Sequence, residues 1–300
     1  MSPSLSAVES FSAPAQNFTF DGILSDFDGT IVDSTAGMSV LNYSGQLWVH
    51  EVRSAADYIP SNQPLSSTGT KQYRLTRSSR RIAAELGVDP EVILATSHGR
   101  RSIDTMALYD ESKANWECTP DPVPPLLLQS ILTTTPSTDV NYIEGRIPKE
   151  YGSDAKEIPG GRDLLRALET SGAKWGVVTS GTRALIDGWL EVLGLTHPEK
   201  LVVAEDVPLG KPDPRCYLLG RKQIELENPD STSVLVLEDA PSGIKAGKAA
   251  GFKVLALATT HSLEQLRAAG ADWIVEDLRS LVVTGVVDGK VNVEIRNALQ

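Results

Sequence analysis

From about residue 158 onward the apolar positions follow two alternating rhythms. Short continuous runs, WGVVT (175–179), LVVA (201–204), VLVLE (234–238), VLALA (254–258) and WIV (273–275), predict buried strands. Between them DLLRALETSG places Leu164, Leu165 and Leu168 on one helical face, with Gly172 as a stop. TRALIDGWLEVLG repeats the pattern through Leu185, Ile186, Trp189, Leu190 and Leu193 and stops at Gly194. APSGIKAGKAAG offers Pro241 as a helix start and Gly251 as an end. Strands that are apolar throughout and separated by helices predict a parallel sheet covered on both faces, an α/β fold. ILSD (23–26) has the same character and joins that sheet. LVVTGVVDGKVNVEI, alternating about Asp288-Gly289, predicts a β-hairpin.

The rhythm breaks between about residues 36 and 157. RRIAAELGVDPEVILA and IDTMALYDESKANWE in this interval look helical, so a helical insertion between the first two strands of the sheet is expected. Two pieces of it fit no element. Residues 37–79 carry little period, and 118–141 hold Pro120, Pro122, Pro124, Pro125 and Pro136, which exclude a regular helix. Structureless loops beyond about 12–15 residues are uncommon in compact domains. The resulting plan is a flexible tail over 1–17, a core from 18–35 and 158–300, and an inserted cap over 36–157 with irregular pieces at about 37–79 and 118–141.

A 300-residue chain with 41% hydrophobic residues can bury a sizeable core. Its formal charge of −11 repels phosphate backbones, so no nucleic acid and no anionic membrane surface are expected as partners. The N-terminus lacks a basic region followed by an apolar stretch, and no apolar run approaches the roughly 20 residues of a membrane helix. Cys118 and Cys216 lack metal-ligand spacing and read as unrelated thiols, which fits a reducing compartment. A cytoplasmic monomer is the expectation.

The candidate chemistry sits at the strand ends. Asp26 and Asp28 lie two residues apart, so a strand running through Asp28 would turn both carboxylates to one side, at the edge where open α/β sheets bind ligands. Asp28-Gly29 is equally a plain turn signal. After WGVVT come Thr179, Ser180, Gly181 and Thr182, a phosphate site or an ordinary helix cap by Ser180 or Thr182. After LVVA, Lys211 lies between Gly210 and Pro212, either holding a phosphate charge or solvated. VLVLE ends in Glu238-Asp239, a carboxylate pair suited to Mg²⁺ or an acidic cap for the helix at Pro241. Jointly they supply a nucleophile, a proton-transfer group, phosphate donors, a cation and metal carboxylates.

DFDGT, VVTSGTR, GKPDP and VLEDAPSGIKAGKAAG resemble the four motifs of the haloacid dehalogenase superfamily of phosphatases, over residues 20–35 and 142–275. TSHGRRSIDT, EGRIPKEYG, TSGTRAL and GKPDPRCYLLGR are similar to the fungal and yeast sugar- and polyol-phosphate phosphatases, which include glycerol-3-phosphate and 2-deoxyglucose-6-phosphate phosphatases. The resemblance implies a Rossmann-like core with an inserted helical cap. It implies Asp26 as a nucleophile forming an aspartyl-phosphate, and Asp28 as the acid and then the base. It implies Thr179 and Lys211, with the N–H groups of Ser180 and Gly181, as holders of the phosphoryl oxygens. Mg²⁺ would be bound by Asp26, the carbonyl of Asp28, Asp239 and Glu238. His98, Arg100 and Arg101 match the cap stretch nearest the site, with one of the two arginines as a candidate substrate contact. The chain departs from its relatives between Ser34 and Glu85 and over 118–141, pieces that are either translated non-coding sequence or unusual insertions. The implied activity is hydrolysis of a small polyol or sugar phosphate. The alternatives are a phosphoglucomutase of the same superfamily and a non-catalytic product with a disrupted cap.

Overall fold

The computed structural model describes residues 10–33, 99–101, 103–104, 144–145, 147–149, 152, 155–227 and 233–299. The irregular pieces 37–79 and 118–141, together with His98 and Cys118, lie outside the described residues. The framework is a six-stranded sheet of β2 (Gly22–Ser25), β5 (Trp175–Val178), β6 (Leu201–Val202), β7 (Val234–Glu238), β8 (Lys253–Leu257) and β9 (Trp273–Val275). Its order is β6-β5-β2-β7-β8-β9, and every pairing is parallel. β2 lies between β5 and β7, with Ile23 opposite Trp175 on one side and Leu235 on the other. β2, β5 and β7 are buried at every position, as helices on both faces require.

Alternate strand residues feed two cores. Ile23, Val177, Leu235 and Leu255 pack with α1 (Gly161–Ser171) and α2 (Arg183–Leu193) through Leu164, Leu168, Leu185 and Trp189. Leu24, Val178, Val236 and Val254 pack with α3 (Arg215–Gln223), α4 (Pro241–Ala249) and α5 (Leu263–Ala268) through Tyr217, Ile244 and Leu266. Trp189 is fully buried, and truncating such a side chain to alanine costs about 3–5 kcal/mol. α2 starts at Thr182, whose hydroxyl accepts from the Leu185 N–H, and stops at Gly194 with φ 57°.

The hairpin forms as expected. β10 (Leu281–Val287) and β11 (Lys290–Ile295) are joined by Asp288 and Gly289, both at positive φ. Of the tail expected over 1–17, residues 1–9 lie outside the described residues, and the described part from residue 10 is ordered against the core. β1 (Gln16–Phe20) pairs with β11 along its full length, and Phe11 bridges to Leu299. Phe18 packs edge-on against Trp273 and Phe20 is buried, so this segment is part of the core.

β3 (Val32–Asp33) pairs antiparallel with β4 (Lys156–Glu157), so the chain leaves and re-enters the core side by side. The described parts of the interval are helical at 103–104, 144–145 and 147–149. No helix among the described residues is long and apolar enough to cross a membrane.

Candidate active site

β2 stops at Ser25, not at Asp28. The Asp26 N–H still bonds the Leu237 carbonyl at 2.9 Å, and the chain then turns sharply: the N–H groups of Thr30, Ile31 and Val32 all point at the Phe27 carbonyl. Phe27 is buried in the core on the α1/α2 side. Gly29 makes the turn possible at φ 81°, where a side chain would collide with the Asp239 carboxylate.

Lys211 is not a solvated lysine. It is 3% exposed, and its three N–H donors go to Asp26 Oδ1 at 2.5 Å, Glu238 Oε1 at 2.7 Å and the Val178 carbonyl at 3.1 Å. It therefore joins the ends of β2, β5 and β7. Its ammonium also lies 5.1 Å from the centroid of Tyr217, whose hydroxyl donates to Glu238 Oε1 at 2.9 Å. Glu238 Oε2 accepts from the N–H groups of Asp239 and Ala240 at 3.0 Å each. Those four donors account for the acceptor capacity of the Glu238 carboxylate. Among the described residues no hydrogen-bond donor reaches Asp26 Oδ2.

Asp239 does not cap α4. That role falls to Ala240, without a side-chain bond. The Asp239 carboxylate instead accepts from the Thr30 hydroxyl on Oδ1 at 3.2 Å and from the Thr260 hydroxyl on Oδ2. The carboxylates of Asp26, Glu238 and Asp239 offer ligand atoms that all lie within 4.8 Å of one another. Among the described residues one ammonium faces these three buried carboxylates, so the cluster carries an acidic surplus. The surplus shows in the proton affinities. Burial, reinforced by Glu238, pushes Asp26 up to about 8 even against the pull of Lys211. Burial and the charges of Glu238 and Asp26 hold Asp239 well above the carboxylate range. Burial disfavours the Lys211 ammonium, yet Asp26 and Glu238 outweigh it and raise its pKa. An all-oxygen, negatively charged pocket is the donor set a hard divalent cation takes.

The loop after β5 brings the other expected groups. Thr179 is buried, and its hydroxyl oxygen accepts from the Gly181 N–H at 3.0 Å, leaving its own O–H to donate. The Gly181 N–H, expected to hold phosphate, is thus engaged within the loop. The Ser180 hydroxyl donates to the Gly99 carbonyl at 3.0 Å. Asp28 Oδ2 lies 3.5 Å from the point where a Cβ on Gly181 would stand, so the loop and Asp28 face each other.

Arg101, one of the two substrate candidates, is placed against the core. It is 4% exposed, and its five N–H donors are all engaged. Two go to the Asp104 carboxylate at 2.6 and 2.7 Å, two to the Ala204 and Val207 carbonyls at 3.2 and 2.7 Å, and one to the Pro208 carbonyl at 3.2 Å. It fastens the inserted segment to the loop that leads to Lys211. Gly210 leaves room for it, since a Cβ there would stand 2.8 Å from Arg101 Nε. Arg100 is half-buried and has no hydrogen bond or ion pair among the described residues.

Three groups at the site went unnoticed in the sequence. Tyr217 looks like one more apolar residue of α3. Its signal is physical: a buried tyrosine hydroxyl must find an acceptor, and the nearest acidic motif is Glu238. Glu144, buried at the return of the inserted segment, accepts from the Thr182 N–H at 2.7 Å, at the N-terminus of α2. Thr260 follows β8 and has no local signature.

Comparison with known proteins agrees with this geometry. The sequence family of haloacid dehalogenase-like hydrolases matches residues 20–251. Glycerol-1-phosphate phosphohydrolase 2 of Saccharomyces cerevisiae is 38% identical over 202 residues, 66% of this chain and 72% of that one. 2-Deoxyglucose-6-phosphate phosphatase 1 of the same yeast is 28% identical over 233 residues, 73% of this chain and 87% of that one. The fold is shared with CbbY from Rhodobacter sphaeroides, at TM-score 0.52 and 18% identity over 86% of this chain and 95% of that one. The chain belongs to the haloacid dehalogenase-like hydrolases and is a phosphatase of that family.

Proposed function

We propose that this chain is a Mg²⁺-dependent phosphatase that hydrolyses a small polyol or sugar phosphate through an aspartyl-phosphate. The observation that carries the proposal is the Asp26 carboxylate, with Oδ1 fixed by Lys211 at the meeting of three strand ends and Asp239 beside it. Support for the substrate class comes from the two yeast relatives, one named for glycerol 1-phosphate and one for 2-deoxyglucose 6-phosphate.

Asp26 and Asp239 would hold the cation, with the Asp28 carbonyl. Glu238, its oxygens engaged by Lys211, Tyr217 and two amides, aligns the lysine. The cation supplies the positive charge that keeps Asp26 ionised and offsets the repulsion between a carboxylate and a phosphate dianion. Asp26 Oδ2 then attacks phosphorus as the bond to the leaving oxygen breaks. Asp28 gives its proton to that oxygen, releasing the alcohol. The same carboxylate takes a proton from a water that attacks the aspartyl-phosphate, which frees inorganic phosphate and restores Asp26. The Thr179 hydroxyl and the Lys211 charge stabilise the phosphoryl oxygens. Two cysteines in 300 residues support a reducing, cytoplasmic setting for this chemistry.

The test is a phosphate-release screen with Mg²⁺ over glycerol, polyol and sugar phosphates, with D26N alongside. Release by the wild-type chain and not by D26N is expected. Equal release by both sinks the nucleophile assignment. An isomerised sugar phosphate without free phosphate points to a mutase instead, and no turnover of any substrate by the folded chain removes the catalytic proposal.

A further inference from the structure

The segment Thr259-Thr260-His261 follows β8, next to the strand that carries Asp239, and the proposed chemistry does not use it. It nevertheless touches both halves of the carboxylate site. The Thr260 hydroxyl donates to Asp239 Oδ2, while Thr30, in the turn after Asp28, donates to Oδ1. The Thr259 hydroxyl donates to the Gly29 carbonyl at 2.5 Å, in that same turn. His261 Nδ1 lies 3.1 Å from the Asp239 carbonyl and 2.9 Å from the Thr260 hydroxyl. Thr30 is fully buried and Thr260 nearly so. Gly29 is part of the fit, since a Cβ there would stand 2.9 Å from Thr260 Cγ2.

Glu238 and Asp239 are adjacent, yet their donors differ in kind. Glu238 takes an ammonium, a phenol and two amides, which neutralise it and fill its acceptor sites. Asp239 takes one neutral hydroxyl on each oxygen. Two donors on opposite oxygens fix the rotation of a carboxylate without cancelling its charge, and each oxygen keeps a second acceptor site. Hydroxyls are therefore suited to a carboxylate that must stay aimed and be left for a cation to neutralise. Partners that orient a ligand in this way typically account for 10–100-fold in metal affinity.

We propose that Thr260 is a positioning residue that fixes the Asp239 carboxylate as a ligand for a divalent cation. This rests on the metal proposal made above for Asp26 and Asp239. Mn²⁺ titration of the full chain, followed by the electron paramagnetic resonance of free Mn²⁺, tests it without turnover. T260V keeps the shape and loses the hydroxyl, and should weaken the Mn²⁺ Kd about tenfold with an unchanged far-UV spectrum. T260S keeps the hydroxyl and should bind within about twofold of wild type. T260V binding as tightly as wild type overturns the proposal, as does T260S weakened as much as T260V. T260A, which introduces no larger group, is the variant read if T260V does not fold. A wild-type chain that binds no Mn²⁺ overturns the metal proposal and this one with it, whereas wild-type binding with an unaffected T260V overturns this one alone.

Discussion

Two buried basic residues organise the described structure, and they do so differently. Arg101 and Lys211 each have every N–H donor engaged, so a count of hydrogen bonds makes them equivalent. A count of charge separates them. Among the described residues Arg101 gives its donors to the Asp104 carboxylate and to three neutral carbonyls, all of them acceptors that hold the fold. Lys211 meets Asp26 and Glu238 with Asp239 close by, so its surroundings stay acidic. Uncompensated buried charge is costly, and proteins keep it where another charge has to arrive. Arg101 therefore serves the architecture of the described residues, and the acidic surplus makes Lys211 the candidate for chemistry.

The largest expected effect tests the surplus. D26N should lower phosphate release by about 10³-fold or more, as loss of a nucleophile does. Measured in urea with a chelator present, it should leave the fold at least as stable as wild type, because burial and Glu238 already disfavour the ionised Asp26 carboxylate that it removes. A clear loss of stability in D26N would mean that the cluster is held together by its charges and would remove the contrast with Arg101. R101M is the counterpart. It strands the Asp104 carboxylate and three carbonyls, and should cost about 2–4 kcal/mol in urea unfolding. R101K should lie between, because an ammonium cannot reproduce five donors in a planar fork. If R101K instead raises KM more than about tenfold with stability intact, Arg101 is a substrate contact after all.

How far each region could be read from the chain follows from where its partners lie. The parallel strands were legible because burial on both faces makes them apolar throughout. The candidate site motifs were legible because each follows such a strand. β1 was not, since QNFTF faces solvent over much of its length and draws its order from pairing with a strand some 270 residues later. β3 and β4 are two residues each, too short for any period. Lys211 could be ranked only jointly with the other strand ends, because a lone lysine in a loop carries no mark of burial. The burial of Arg101 was hidden for a related reason. Three of its acceptors are backbone carbonyls at residues 204–208, and a carbonyl leaves no trace in the sequence. Asp239 stood before Pro241 as any helix cap does, and only the hydroxyls of Thr30 and Thr260, both distant along the chain, show what orients it.

A finer test concerns how Lys211 is kept in place. Y217F removes the hydroxyl that donates to Glu238 Oε1 but keeps the ring beside the ammonium. The expected loss is about 1 kcal/mol in urea unfolding, the usual net value of one hydrogen bond. A loss several times larger would show that Glu238 depends on the phenol rather than on Lys211 and the two amides.

The smallest effect comes from a site with the opposite imbalance. Asp272 is one carboxylate shared by two lysines: Lys248 bonds Oδ2 at 2.6 Å, Lys253 bonds Oδ1 at 2.8 Å, and the Val254 N–H adds a third bond at 2.8 Å. Burial pulls its pKa upward, but the Lys248, Lys253 and Val254 bonds prevail and hold it below the ordinary value. The sign is therefore the reverse of that at Asp26. A carboxylate with a depressed folded pKa stabilises above its unfolded value of about 3.9, and that stabilisation is lost as pH falls through the lower folded value. D272N should cost about 0.5 kcal/mol near neutral pH, because both lysines reach solvent and screening weakens them. The difference between D272N and wild type should shrink as the pH is lowered below about 4, in urea titrations repeated across pH. A difference that stays constant into acid would mean that Asp272 acts through packing and the Val254 bond rather than through charge. Charge balance would then be an incomplete guide even where both partners are visible.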